Sequence, residues 1–179
     1  MRGWLKRQLT RFGMSEDGAA TVEFVIVFPV FMVIFVSVFE AGLLMTKMVM
    51  LDRALDLTVR QIRLATGSGT ITHDAVKAMI CANTVIIDDC EASLQLEMDV
   101  IPADTWTMPD TTADCVDREA EIEPVVNFTN GGENDIIFVR ACLVVDPMFP
   151  NYALGLLLTK DASGGVRLLA NSAFANEPT

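Results

Sequence analysis

Apolar residues follow three successive patterns along this chain: continuous from Ala19 to Phe39, recurring every three or four positions from Leu44 to Ile62, and alternating with polar residues from Leu94 to Val100. The first stretch, AATVEFVIVFPVFMVIFVSVF, has 21 residues and one charge. As a helix it spans ~31 Å at ~1.5 Å per residue, which matches a bilayer core. Glu23 inside it costs ~2.5–3.5 kcal/mol, but each Val, Ile and Phe returns ~0.3–0.6, so insertion still wins. Leu44, Met48, Leu51, Leu55, Val59 and Ile62 then mark one face of an amphipathic continuation of the same helix. Lys47, Asp52, Arg53, Asp56, Arg60 and Arg63 mostly occupy the other faces, and Gly67-Ser68-Gly69 is expected to end the helix. Its methionines at helical spacing read as core rather than as a copper site.

Further on, Thr72 is placed to cap a short helix through about Asn83, with Val76, Met79 and Ile80 inward and His73 solvated in the first turn. Leu94 to Val100 alternates as a half-buried strand. Ile136 to Val145 is apolar on both faces except for Arg140, as suits a central strand, with Glu121 to Phe128 expected as its antiparallel partner. A last strand, Val166 to Ala175, follows Gly164-Gly165. Tyr152 to Leu158 is too short to cross a membrane; it reads as a buried short helix, or else as a partner or membrane-surface contact beside Phe149. The expected fold class is α+β: a long N-terminal transmembrane and amphipathic helix packed on a small antiparallel sheet.

Charge adds an orientation. The first 18 residues carry four basic and two acidic side chains, and the remainder nine basic and 22 acidic. The positive-inside rule then puts the N-terminus in the cytoplasm and the C-terminal bulk outside. Four segments follow: a basic cytoplasmic leader (1–18), a transmembrane helix (19–40), its amphipathic extension (41–66) and an exported, disulfide-containing α+β domain (67–179). An acidic domain without a basic stripe repels phosphate, so nucleic acid is not an expected partner.

Cys81, Cys90, Cys115 and Cys142 all fall in the exported part, where disulfides are favoured. Of three pairings, Cys81 with Cys90 and Cys115 with Cys142 is preferred: the first closes a short turn after a helix, the second ties a loop to the central strand. No C-x2-C spacing occurs and His73 is the one histidine, so neither a metal nor a cofactor is expected. Acidic clusters at Asp88-Asp89-Cys90-Glu91 and at Glu119, Glu121 and Glu123 lack the EF-hand pattern and read as solvated faces. There is no Gly-rich phosphate loop and no nucleophile elbow, and the chain is not expected to be an enzyme.

The membrane segment carries a more specific signal. A secretory signal peptide has its small-residue cleavage site after the apolar run; here Gly18 precedes the run, which continues into a long helix. Gly18-Ala19-Ala20-Thr21-Val22-Glu23-Phe24 behind a basic leader resembles the type IV prepilin cleavage motif. More narrowly, GAATVEFVIVFPVF followed by Glu40-Ala41-Gly42 resembles the TadE- and TadG-like proteins of tight-adherence (Flp-type) pilus systems, whose helix-then-sheet plan is that of pilins and pseudopilins. The resemblance implies cleavage between Gly18 and Ala19 by a prepilin peptidase, with Glu23 as the fifth residue of the mature chain.

Cleavage would create a cationic α-amine on Ala19 within about one helical turn of Glu23, and the two would neutralise each other in lipid, within one chain or between neighbours. Phe24, Pro29, Glu40 and Gly42 complete the motif positions. Pro29 removes a helix hydrogen bond and predicts a local kink; Glu40 is expected to pair with Lys47 or to face water. The implied partners are the membrane, prepilin peptidase, other Tad-type pilins or pseudopilins and assembly-platform proteins. The implied role is that of a minor pilin or pseudopilin at the bacterial inner membrane, with its domain periplasmic and open to incorporation in a pilus. The alternative is an uncleaved TadG-like binding or adhesion module with an acidic exported domain.

Overall fold

A computed structural model describes residues 19–65, 71–109, 115–118 and 126–176. Helix α1 (Ala19–Ala65) runs without a break through Pro29 for 47 residues, about 70 Å of helix. Two short helices follow, α2 (His73–Ala82) and α3 (Cys90–Ser93), then strands β1 (Leu94–Ile101), β2 (Ile136–Val145) and β3 (Val166–Ala175). A 3-10 turn, Ala153–Leu156, lies between β2 and β3.

The three strands form one antiparallel sheet in the order β1-β2-β3. Its register sets Leu96 beside Ala141 and Ala141 beside Ala170, so Leu94, Leu96 and Met98 line up with Val139, Ala141 and Leu143 and with Leu168, Ala170 and Phe174 on one face. That face forms a continuous core with Leu51, Ala54, Leu55, Val59 and Ile62 of α1 and with Val76 and Ile80 of α2. Leu44 and Met48, the first two positions of the amphipathic stripe, are partly buried against the same core. Full burial of a side chain such as Leu55 contributes ~1.5–3 kcal/mol, so the second half of α1 is fixed by packing. Its first turns stand open among the described residues: Val22, Phe24, Val25, Ile26 and Val27 are all exposed.

Thr72 caps α2 by accepting the Ala75 N–H at 3.3 Å, and Asn83 closes it. His73 is half-buried rather than solvated, because its ring stands edge-on to Phe128, 5.3 Å between centroids. On the sheet's other face the buried Arg140 donates to Glu97 at 3.1 Å and lies over the Phe138 ring. Asn176, just past β3, donates to the Asn130 and Gly132 carbonyls, both at 3.0 Å, closing the turn before β2.

Three further expectations change. Glu121 to Phe128 does not pair with β2: both edges of that strand are taken, by β1 and β3, and Phe128 instead forms a single parallel bridge with Met98 on the far edge of β1. Residues 121–125 of that stretch lie outside the described residues. Tyr152 to Leu158 does contain a short helix, but it is not buried, since Leu156 is 65% and Leu157 83% exposed. Glu40 neither faces water nor pairs with Lys47. The end of α1 at Gly67-Ser68-Gly69 and the acidic cluster Glu119, Glu121 and Glu123 lie outside the described residues.

Candidate functional site: the helix exit and its carboxylate latch

Glu40 stands one residue beyond the apolar stretch. Its side chain is 1% exposed, although the residues just before it, Val38 and Phe39, are open. The burial comes from the segment after β2, where Oε1 accepts the Met148 N–H at 2.9 Å and Oε2 accepts the Phe149 N–H at 3.0 Å. Pro147 and Pro150 bracket these two amides, and a turn between prolines presents its free donors outward. A carboxylate with both oxygens on backbone N–H groups holds more strongly than a neutral pair would. Lys47 lies seven residues on, a rise of ~10 Å, too far for a direct contact with Glu40.

The latched segment is held from a second side. Gly155 sits so close to Phe149 that a Cβ at position 155 would be 1.9 Å from the Phe149 carbonyl oxygen. Lys160 Nζ donates to the Pro150 carbonyl. Gly155→Ala is therefore expected to force the 3-10 turn off Phe149 at a cost of about 1–3 kcal/mol. Amide exchange should accelerate at Met148 and Phe149, while the paired amides of β2 and β3 keep their protection.

Beside the latch, Asp146 takes two bonds from Arg118, 2.9 Å from Nη1 and 2.6 Å from Nη2, and Arg118 Nε donates to Ser163 at 2.9 Å. The Arg118 hydrogen bonds hold the Asp146 carboxyl below the usual carboxylate range against some burial, and the charges of Arg118 and Lys47 add to them. Stabilisation by this pair is thus complete above the unfolded carboxyl value of about 4 and is lost as pH falls through the lower folded value. Asp146 is largely exposed, so the contribution is under about 1 kcal/mol. Thermal unfolding between about pH 5 and pH 2 checks it: Asp146→Asn should remove this increment of acid sensitivity.

The structure distributes the motif positions along α1. Ala19 opens the helix; Gly18 lies outside the described residues. Glu23, Phe24 and Pro29 are exposed on the apolar half, with Phe24 stacked on Phe28 at 4.9 Å between centroids. Gly42 is exposed, with nothing within 4 Å of where a Cβ would stand, and its carbonyl accepts the Thr46 hydroxyl at 2.7 Å. Of the described motif positions only Glu40 meets the C-terminal domain, and its partners were the part that sequence reasoning missed. Disulfides join Cys81 to Cys90 and Cys115 to Cys142. Among the described residues no group of three or more His, Cys, Asp or Glu side chains is placed to hold a metal ion.

The fold is α+β: a helix long and apolar enough to cross a membrane continues into a half that packs on a three-stranded sheet. Residues 18–60 match the model of the TadE-like protein family. Over that stretch, which takes in Gly18, Glu23, the whole apolar half of α1, Glu40 and Gly42, the chain is similar to TadE-like proteins. No curated protein and no solved structure matches the chain.

Proposed function

We propose that the chain is a non-enzymatic minor pilin or pseudopilin that takes part in assembling a Flp/Tad-type pilus. The observation that carries this reading is the TadE-like match beginning at Gly18 and covering the apolar helix. In this reading the N-terminus is cytoplasmic, the C-terminal domain lies across the inner membrane, and a prepilin peptidase cuts between Gly18 and Ala19. The new Ala19 amine then meets Glu23, which is exposed on α1 and open to a neighbouring subunit. The Glu40 latch would make helix and domain move as one body, so force applied to the helix reaches the sheet.

Intact mass of the chain, expressed with and without an active prepilin peptidase, tests the processing step. Gly18→Ala or a bulkier residue is expected to leave the leader attached, because the protease pocket has room for a small residue. Glu23→Ala should be cut normally and fail in assembly. Full pilus formation by both variants would sink the assembly role, and an intact Met1 in the presence of active peptidase would favour an uncleaved, TadG-like binding module.

A further inference from the structure

The segment that Glu40 holds has a composition unlike the rest of the domain. Residues 147–158, PMFPNYALGLLL, contain no charged side chain. Met148 is 61% exposed, Tyr152 43%, and Leu156 and Leu157 are more open still. We propose that this segment is a second membrane contact, seating the C-terminal domain on the surface of the same bilayer that α1 crosses; the inference rests on the membrane-spanning reading of α1.

Position along the helix carries the argument. Glu40 comes 21 residues after Ala19, a rise of ~32 Å, so it stands where α1 leaves a hydrocarbon core ~30 Å thick. The amides of Met148 and Phe149 are bonded to it, which brings the uncharged segment to the same level. Exposed Phe35, Val38 and Phe39 of α1 continue directly into this level. The sheet extends outward from this level: β2 ends at Val145, just before the latch, while Ser172 of β3 approaches Asp56, 3.5 Å away, and Asp56 is ~24 Å beyond Glu40 along the helix.

Chemistry favours lipid as the occupant. Tyr152 has the apolar ring and polar tip that suit the headgroup boundary, and Leu156 and Leu157 suit the acyl chains just beneath. Lys160, which holds the Pro150 carbonyl, supplies a cation beside the segment. Three other exposed apolar side chains of the domain lie among acids: Val85 and Ile86 precede Asp88-Asp89, and Trp106 follows Asp104. An anionic surface would repel them. Docking is also intramolecular once α1 is inserted, so a modest affinity suffices.

The test uses the full chain in phosphatidylcholine/phosphatidylglycerol vesicles, with Leu157→Trp as the probe in a background of Trp4→Phe and Trp106→Phe. Lipids brominated close to the glycerol should quench the probe at least twofold, and lipids brominated at the chain ends much less. Val30→Trp in the same background should show the opposite order, quenched most from the chain ends. A Leu157→Trp probe open to aqueous iodide and untouched by brominated lipid, alongside a quenched Val30→Trp, overturns the docking and leaves the span standing. Shielding from iodide without lipid quenching also overturns it, and assigns the segment to a protein partner or a second copy. Loss of quenching at both positions removes the membrane reading and the docking with it.

Discussion

Glu40→Ala is expected to cost the folded chain about 2–4 kcal/mol, the largest effect of any substitution on α1 outside the core stripe. Two charge-assisted bonds are lost, each worth ~1.5–3 kcal/mol, and the Met148 and Phe149 amides are left without an acceptor. The lower end of the range allows for water reaching amides whose own side chains are exposed. Glu40→Gln retains one carbonyl oxygen and turns an NH2 group toward the second amide, so it should fall between wild type and Glu40→Ala. Hydrogen exchange on the full chain in detergent micelles reads the effect where it arises: exchange at 148 and 149 should accelerate first, with β2 and β3 still protected. Unchanged exchange at those two amides would show that the latch does not hold the segment.

The same residue shows where sequence reading stops. α1 announced itself twice, as 21 continuous near-apolar residues and then as a stripe every three or four, because a helix packed on one side keeps apolar residues at helical spacing. β1 alternated and β2 did not, as suits a strand that is apolar on both faces. Glu40 follows no such period. Its partners are backbone amides more than a hundred residues away, and backbone groups leave no side-chain signature. The available hint was negative: Lys47 at seven residues is out of reach, and no cation stands three or four residues from Glu40.

The misplaced partner of β2 failed for a different reason. Glu121 to Phe128 contains Pro124, which cannot donate to a ladder and marks an edge or a non-strand. A strand has only two edges, and Leu94 to Ile101 and Val166 to Ala175 took both. Phe128 kept one bridge to Met98, supported by the Met98 N–H donating to Asn127 and the Thr129 N–H donating to Met98, both at 2.9 Å. The Tyr152 to Leu158 stretch was read as buried because apolar residues usually are. Its burial is replaced by exposure because the latch turns it toward the exit of the helix, a relation set by tertiary structure.

Breaking the two disulfides should give unequal losses. Loop-closure entropy assigns about 2.5 kcal/mol to the link across nine residues, Cys81–Cys90, and about 3.5 kcal/mol to the link across 27, Cys115–Cys142. The second difference grows in context, because Cys115 belongs to residues 102–135, a connection between β1 and β2 far longer than most in compact domains. Its ties to the rest of the domain include that disulfide, the Phe128 bridge and the Arg118 bonds to Asp146 and Ser163, besides the Asn176 bonds at its end. Cys115→Ala with Cys142→Ala should therefore lower the unfolding midpoint on the order of 15 °C, and Cys81→Ala with Cys90→Ala less. Reduction of the wild-type chain should bring it to the level of a variant lacking all four cysteines. If the two double variants instead unfold together, the long connection is already held by the bridge and the Arg118 cluster, and the disulfide at Cys142 adds only what any short loop would.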